Sequence, residues 1–553
     1  MPSRFRFVRL GVRGRRLRLA GLAACLFALI ALMAPSVVYA SPEGSAKGSS
    51  APLVRTDDGL VRGVRSAATD KFLGIPYAAP PTGERRWRPP AAVTPWRGVR
   101  DATANPPACA QAVGGLRPGE ASVTEDCLYL SVYRPAHTTE RKLPVLFWIH
   151  GGGYGSGAAN LYDGSKIAAA NDAIVVSINY RINVFGFLAL ASLDREQGNS
   201  GNYGFLDQLA ALHWVNKNIA AFGGDSGRVT IDGQSAGAFS VCNMLAAPAA
   251  KGLFSAAVMQ SGGTCPTESK TSYQETDQAI VKAAGCSGAN ARAELACMRR
   301  KSVAELNDAM AKVPAAGAWS AVVGGNALPT QPLEAVKAGD WNKVPVLMGT
   351  TRDEARAMLH YIGVSFPQSE DGYQSVIRSF FGDQADKILA EYPASDYTDP
   401  AYATAAVLTD SGTPGGLGGC GELAAADIFA KQTTTYFYEL YDPNAPPLTV
   451  PEPPKGFQMG SAHSAELAYL FQHGYAQQPS HFTTAQTALS DRIMRYWATF
   501  AGRGNPNAHG QPDWPAYRGG GNGIVQLSPD NVSTMPDYAA EHHCAFWRSL
   551  GRA

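Results

Sequence analysis

The stretch around Ser235 constrains the fold more than any other part of the sequence. An apolar, strand-like run at residues 229–232 ends at Gly233, and a helical pattern resumes after Gly237. A serine on so tight a strand-to-helix turn needs neighbours without side chains, which the two glycines supply. The N-terminal amides of the following helix would face any charge that develops beside the serine. Ser235 is therefore the candidate nucleophile, and the alternative is a glycine-rich turn without chemistry.

A second glycine cluster, at residues 151–153, follows a buried-strand pattern at residues 145–149. An oxyanion hole needs backbone N–H groups that converge on one point, and glycine permits both the conformation and the close approach. The N–H groups of Gly152 and Gly153 are candidate donors, together with that of Ala236 directly after the serine. A flexible loop is the alternative for the glycines taken alone.

Four stretches, in the order found in one known family, carry the strongest signal in the chain. They are FLGIPYA at residues 72–78, EDCLYLSVYRP at 125–135, NYR at 179–181, and FGG at 222–224 followed by GQSAG at 233–237. In these stretches the chain resembles the type-B carboxylesterases, relatives of cholinesterases and fungal lipases, and in particular a secreted bacterial member. The resemblance covers nearly all of the chain from about residue 59 to 547. It implies an α/β-hydrolase fold: a mostly parallel central sheet flanked by helices, with helical insertions at about residues 266–340 and 355–430 around an active-site gorge.

The resemblance also implies the partners of Ser235, because the chain order in this fold is serine, acid, histidine. The acid is expected at Glu354, in a polar turn after a strand-like run; without the resemblance, Asp353 would rank nearly equal. The base is expected at His463, in the motif GSAHSAEL. The other histidines that follow Glu354 lack that context: His360, His473, His481, His509, His542 and His543.

These roles combine into one mechanism. A serine hydroxyl needs an adjacent base near neutral pH, so His463 would take its proton and return it to the leaving alcohol. Glu354 would fix the imidazole tautomer and stabilise the imidazolium, and water would then hydrolyse the acyl-enzyme. Two roles are open for Ser261: support of Glu354 from behind, or a backbone hydrogen bond at a strand end. No cofactor is expected.

The N-terminal segment has the composition of an export signal. Residues 1–40 hold seven arginines and no acidic residue, with an apolar stretch and then small residues before Ser41. This pattern predicts a signal peptide cleaved near Ala40-Ser41, a disordered leader at 41–50 and a single catalytic domain at 51–553, in a secreted or periplasmic protein. The apolar stretch is short for a membrane span, so no stable membrane anchor is expected. The export route and the oligomeric state stay open.

Charge and cysteine usage agree with that location. Without the seven N-terminal arginines, the 46 acidic residues outnumber the basic ones, and no basic tract predicts nucleic-acid binding. Eight cysteines remain after residue 40, which suits an oxidising compartment. The resemblance implies three disulfides: Cys109–Cys127, Cys286–Cys297 and Cys420–Cys544. Cys242 and Cys265 are expected as buried free thiols, with a fourth bridge as the alternative. No Cys/His spacing fits a metal site.

Two departures from the cholinesterase pattern bear on the substrate. The residues between Cys109 and Cys127 include no aromatic side chain that could hold a quaternary ammonium by cation–π contact. The residue before the nucleophile is Gln234, where cholinesterases carry a glutamate that favours cationic substrates. A neutral or anionic small-molecule ester is therefore expected, and not a choline ester. A lipase acting on long-chain acylglycerols is one alternative, and an esterase for a toxin or xenobiotic, such as a fumonisin, is another.

Two further classes fit the residues less well. A catalytically inactive adhesion relative would lack the serine or the histidine, and this chain has both. An amidase would use the same residues, but a leaving amine is harder to expel than an alcohol.

Overall fold

Short apolar runs that alternate with helical segments build a large central sheet, the pattern expected of parallel strands buried on both faces. We describe it from a computed structural model, in which the described residues are 51–552 apart from 113–120, 137, 139, 141, 289, 314–318, 361, 413–414, 447–454 and 473–480. The expected signal peptide and leader therefore lie outside the described residues. So does part of the segment between Cys109 and Cys127.

The described residues contain sixteen strands. They are β1 Leu53–Thr56, β2 Gly59–Arg62, β3 Val64–Arg65, β4 Thr69–Pro76, β5 Val99–Asp101, β6 Tyr129–Pro135, β7 Leu143–Ile149, β8 Ile174–Ile178, β9 Gly224–Gln234, β10 Ala256–Gln260, β11 Glu268–Ser269, β12 Val322–Val323, β13 Val346–Thr351, β14 Thr435–Leu440, β15 Ile524–Leu527 and β16 Val532–Thr534.

Eleven of these strands form one sheet in the order β16-β15-β14-β13-β10-β9-β7-β8-β6-β4-β3. The seven from β15 to β8 run parallel to one another, whereas the strands at both edges pair antiparallel. Strands β1, β2 and β5 form a separate small sheet, and β11 pairs with β12. The mostly parallel central sheet that the sequence predicts is confirmed.

Seventeen α-helices lie in the described residues. They are α1 Ser165–Asn171, α2 Asn183–Phe187, α3 Ala191–Gln197, α4 Tyr203–Asn218, α5 Ala236–Ala246, α6 Lys270–Ala283, α7 Ala291–Arg300, α8 Val303–Ala311, α9 Pro332–Ala338, α10 Glu370–Phe381, α11 Ala385–Glu391, α12 Pro400–Ser411, α13 Gly419–Ala430, α14 Glu466–Phe471, α15 Thr484–Arg503, α16 Tyr538–Glu541 and α17 Cys544–Ser549. The two expected insertions contain α6 to α9 and α10 to α13, respectively. In the described part of the chain, no helix combines the length and the apolar character needed to cross a membrane.

The side chains of the central strands alternate between two hydrophobic cores. In β7, Val145, Phe147 and Ile149 belong to one core, and Leu146 and Trp148 belong to the other. Strands β8 and β13 repeat the alternation, as expected for strands whose successive side chains point to opposite faces. Burial on both faces fixes the register of these strands, and it therefore fixes where their carboxyl ends meet along one edge of the sheet.

Four disulfides join cysteines of the described residues: Cys109–Cys127, Cys242–Cys265, Cys286–Cys297 and Cys420–Cys544. Three of these pairs are the ones that the family resemblance implies. The bridge between Cys242 and Cys265 corrects the expectation of two free thiols. Helix α5 packs against β10, which brings the two Cα atoms to 5.7 Å, a separation that a disulfide spans without strain on the backbone. No local pattern in the sequence signals this contact.

Peptide mapping without reduction tests the fourth bridge. Digestion of the unreduced protein is expected to yield a peptide pair joined through Cys242 and Cys265, because both sulfurs are buried and already bonded to each other. Alkylation of the unfolded but unreduced chain should label neither cysteine. Recovery of either one as an alkylated free thiol would contradict the bridge.

Candidate active site

Ser235 occupies a strained turn between strand β9 and helix α5. Its backbone dihedrals are φ 57° and ψ −126°, a conformation that costs free energy for any residue with a side chain and is found mainly at functional turns. The turn is held because the Ser235 N–H donates to the carbonyl oxygen of Gln260 at 2.9 Å. A Cβ atom on Gly233 would lie 2.4 Å from the carbonyl carbon of Gly237, and one on Gly237 would lie 2.0 Å from the carbonyl oxygen of Ile149. The Gly-x-Ser-x-Gly pattern is therefore a packing requirement.

The glycine loop after β7 lies against this turn. A Cβ atom on Gly151 would stand 2.5 Å from the carbonyl oxygen of Gln234 and 3.0 Å from Cβ of Ser235. Gly152 and Gly153 follow with φ of 114° and 59°, which residues with a side chain rarely adopt. The two expected oxyanion-hole donors of this loop therefore belong to a segment in contact with the candidate nucleophile.

Local contacts also fix the third predicted oxyanion-hole donor, the Ala236 N–H, and His150, the residue that precedes the glycine loop. Ala236 is the first residue of α5, so its N–H is at the helix N-terminus beside Ser235. Tyr180 donates its hydroxyl hydrogen to the carbonyl oxygen of His150 at 2.7 Å and stacks on the His150 ring with the ring centroids 4.4 Å apart. These contacts hold the peptide that leads into the glycines.

Glu354 and His463 form a direct hydrogen bond. Nδ1 of His463 lies 2.5 Å from Oε2 of Glu354. The other carboxylate oxygen of Glu354 accepts from the Thr350 hydroxyl and from the Thr351 N–H, both at 2.9 Å. Because an ionised carboxylate can only accept hydrogen bonds, Nδ1 of His463 carries the proton in this contact. In the neutral ring, Nε2 is then the acceptor. This is the tautomer that a general base needs.

The environment keeps Glu354 ionised although it is fully buried. Burial raises the pKa of the Glu354 carboxyl, whereas the hydrogen bond of His463 and the positive charge that this ring carries when protonated lower it. The Ser261 hydroxyl and the Thr351 N–H lower the pKa further. The net effect is a lowered pKa for Glu354, so the carboxylate stays available to stabilise an imidazolium.

The Ser261 hydroxyl lowers the pKa of Glu354, although it does not reach the geometry of an ordinary hydrogen bond with any described residue. The electrostatic effect supports the first of the two roles considered for Ser261. The backbone role is also partly met, because the Ser261 N–H donates to the carbonyl oxygen of Gly349 at 2.8 Å.

Asp353 faces a different set of partners. Its carboxylate pairs with the Arg356 guanidinium at 2.9 Å and accepts from the Ser461 N–H at 2.9 Å. Burial raises the pKa of Asp353, and the charge of Arg356 acts in the opposite direction. Of the two adjacent acids, the structure therefore brings Glu354 to His463, whereas Asp353 holds the turn that precedes His463.

The second ring nitrogen of His463 contacts a residue that the sequence analysis considered only for substrate charge. Nε2 of His463 lies 3.1 Å from the side-chain amide nitrogen of Gln234. No hydrogen bond joins this ring to the Ser235 hydroxyl; both residues are among those described. Catalytic hydrogen bonds are often long without substrate and tighten in the bound complex. Gln234, which directly precedes Ser235 in the chain, therefore donates to the acceptor nitrogen of the neutral ring.

Two buried acids close to the site were missed from the sequence. Asp232 lies in β9 just before the Ser235 turn, and burial raises its pKa to about 8 although it accepts from the Gln260 amide at 2.9 Å. Glu422 lies in α13 and accepts from the Gly263 N–H. A single acid within an otherwise apolar run was the signal available for both.

The remaining chemistry of the site is simple. Ser235, Glu354 and the glycine loop follow the carboxyl ends of strands β9, β13 and β7, and His463 lies in the segment after β14. Ligands bind at this edge of α/β sheets. Across the described ranges, no group of three or more His, Cys, Asp or Glu side chains is arranged to hold a metal ion. The arrangement can activate a hydroxyl and stabilise an oxyanion.

Comparisons with known proteins show which family the chain belongs to. The model of the carboxylesterase family matches residues 50–547. The chain belongs to the carboxylesterase family. It is 34% identical over 496 residues to a pyrethroid hydrolase of Rattus norvegicus, with 85% of each protein covered. A cocaine esterase of Homo sapiens is 33% identical over 513 residues, which cover 86% of this chain and 87% of that protein.

Solved structures of the same family show the same fold. A PNB esterase matches with a TM-score of 0.72 at 32% identity, covering 89% of this chain and 98% of its own. A thermophilic PNB esterase matches with a TM-score of 0.73 at 31% identity, covering 88% and 98%. These findings confirm the α/β-hydrolase fold and the resemblance to type-B carboxylesterases, and this family member is a carboxylic ester hydrolase.

A charge placed at Gln234 should change the pH dependence of the reaction. In the unchanged protein, kcat/KM for a neutral ester is expected to fall on acidification, because a protonated imidazole cannot accept the Ser235 proton. Gln234→Glu would put a carboxylate beside Nε2 of His463 and stabilise the imidazolium, so the acid limb should move up by about one pH unit. Gln234→Met, which adds no charge, is the matched control and should leave the limb in place. An unmoved limb in Gln234→Glu would show that position 234 does not face the base.

Proposed function

We propose that this carboxylesterase cleaves its substrate through an acyl-enzyme formed on Ser235, with His463 as general base and then general acid and Glu354 as its buried partner. The observation that carries the proposal is the 2.5 Å contact between Nδ1 of His463 and Oε2 of Glu354, beside a serine on a strained strand-to-helix turn. In the first step His463 takes the Ser235 proton while the hydroxyl attacks the ester carbonyl. The same proton then leaves with the alcohol, and water repeats the sequence on the acyl-enzyme.

The N–H groups of Gly152, Gly153 and Ala236 are proposed to bind the oxyanion of each tetrahedral intermediate. The contact between the glycine loop and the Ser235 turn supports this role. So does the position of Ala236 at the first residue of helix α5, whose dipole favours negative charge at that end. Each such donor contributes roughly 10²–10³ in rate in known hydrolases.

A neutral or anionic small-molecule ester is the proposed substrate. Gln234, the side chain next to His463 Nε2, is uncharged, so this position gives a cationic alcohol group no carboxylate to bind. Relatives of this chain are named for different substrates, including a pyrethroid hydrolase, a cocaine esterase and an acylcarnitine hydrolase. Family membership alone therefore does not select the ester, and the absence of a charge at position 234 supports the exclusion of choline esters.

Export from the cytoplasm is also proposed. Four disulfides among the described residues fit an oxidising compartment. The N-terminal arginines and the apolar stretch after them have the composition of a cleaved export signal.

Substitutions of the proposed nucleophile and of the two adjacent acids test the proposed roles, with p-nitrophenyl acetate as substrate. Ser235→Ala should lower kcat by ~10⁴-fold or more, because the nucleophile is removed. Glu354→Gln should lower kcat by about 10³–10⁴-fold, because the amide favours the wrong imidazole tautomer. Asp353→Asn is the matched control and should cost about tenfold at most, since its amide oxygen can still accept from Ser461.

The outcomes separate the possible assignments. Equal losses in Glu354→Gln and Asp353→Asn would contradict the choice of acid, and normal turnover by Ser235→Ala would contradict the nucleophile. In the same assay, acetylthiocholine should be turned over far more slowly than p-nitrophenyl acetate. A preference for long acyl chains with a jump in rate at an interface would identify a lipase instead.

A further inference from the structure

We propose that Glu422, a residue with no part in the reaction scheme above, is a positioning residue for the acid and the nucleophile of the site. It does so by anchoring the segment Ser261-Gly262-Gly263-Thr264-Cys265, here called the 261–265 loop. The inference rests on the proposed roles of Ser235, Glu354 and His463.

The 261–265 loop touches the nucleophile turn on one side. A Cβ atom on Gly262 would lie 2.9 Å from the carbonyl oxygen of Ser235 and 2.6 Å from Cβ of Ala238. The same Ser235 carbonyl accepts from the Phe239 N–H at 3.0 Å, in the first turn of α5. A shift of the loop toward α5 would therefore push directly on the strained turn.

The other side of the loop faces the proposed acid. The Ser261 hydroxyl helps to lower the pKa of Glu354, and the Ser261 N–H is bonded to Gly349 in strand β13, the strand that leads into Glu354. The loop therefore lies between the two halves of the site, the Ser235 turn and Glu354. Its position affects both.

Three contacts hold the rest of the loop, and in one of them the Thr264 hydroxyl donates to the carbonyl oxygen of Gly416. Cys265 is bonded to Cys242 in helix α5, which fixes one end to the helix that begins beside Ser235. The Gly263 N–H lies 2.9 and 3.0 Å from the two carboxyl oxygens of Glu422. A Cβ atom on Gly263 would stand 2.6 Å from Oε2 of Glu422 and 2.2 Å from Cε of Met348, so a larger residue there would displace the ends of these two side chains.

Glu422 acts through hydrogen bonds and not through charge. Burial raises the pKa of its fully buried carboxyl well above the usual range, and the negative charge of Glu354 raises it further. The N–H groups of residues 262–264 oppose this effect without cancelling it. Two other titratable groups sense Glu422: Tyr438 and Tyr538, whose own pKa values burial raises well above the usual range. Glu354, whose pKa is lowered, is the negative charge that raises the pKa of Glu422.

If Glu422 acts as an uncharged hydrogen-bond acceptor, a glutamine at this position should replace it. Glu422→Gln keeps an uncharged acceptor oxygen of the same reach, so it should retain kcat within about threefold and leave the acid limb of kcat/KM in place. Glu422→Leu removes the acceptor and frees Gly263. Its kcat should fall about 10–100-fold with KM nearly unchanged, because a misplacement of about 1 Å costs this much. Its acid limb should move to lower pH, because a displaced Glu354 stabilises the imidazolium less.

Asp427 supplies the matched control on the same helix. It accepts from the Tyr517 hydroxyl at 2.6 Å and from the Gly520 N–H at 2.9 Å. Asp427→Leu therefore removes two hydrogen bonds of helix α13 at residues that lie outside the proposed site. It should change thermal stability without changing kcat or the acid limb.

These experiments test the role of Glu422 independently of the roles of Ser235, Glu354 and His463. Each kcat is divided by the fraction of folded protein, which is measured by near-UV circular dichroism. Folded Glu422→Leu with unchanged kcat and acid limb would overturn the positioning role, as would an equal loss in Glu422→Gln. If Glu422→Leu does not fold, Glu422→Asp, whose side chain is one methylene shorter, is held to the same criteria. Activity retained in Ser235→Ala would instead refute the proposed function on which this inference rests.

Discussion

The strained turn at Ser235 is the constraint on which the rest of the structure depends. Its φ of 57° is unfavourable for a serine and is maintained by the packing of the surrounding strands and helix. Strand β9 enters between β7 and β10 in fixed register, and the turn packs so closely that Gly237 touches the last residue of β7. The glycine loop that continues β7 is thereby placed beside the serine. A single packing requirement thus positions both the proposed nucleophile and the proposed oxyanion-hole donors.

The electrostatic design follows from burial. Asp232, Glu354 and Glu422 are all removed from water near the site, and of these three only Glu354 has a lowered pKa. Glu354 has His463, two threonine groups and the loop serine around it, so its pKa is lowered. Asp232 and Glu422 have neutral hydrogen-bond partners, and burial raises their pKa values. The negative charge is therefore concentrated where an imidazolium would form during the reaction.

The sequence predicts the parts of this structure that depend on local pattern. The buried-strand pattern at residues 145–149 lies within strand β7, Leu143–Ile149, because a short apolar run that ends at a glycine cluster is typical of a buried strand. The preference for Glu354 over Asp353 needed the family resemblance, since both lie in one polar turn. Contacts between elements far apart in the chain leave no local pattern. The bridge between Cys242 and Cys265 and the contact of Gln234 with His463 are of this kind.

The most direct test of the account is the site of the acyl group during turnover. The protein would be mixed with excess p-nitrophenyl acetate, quenched in acid within the first turnovers, digested and analysed by mass spectrometry. The account predicts one acetyl group per chain, on the hydroxyl of Ser235, in the peptide that spans the β9–α5 turn. Acetylation at any other residue, or rapid hydrolysis with no acetyl group on Ser235 under conditions where acyl-enzyme should accumulate, would contradict it.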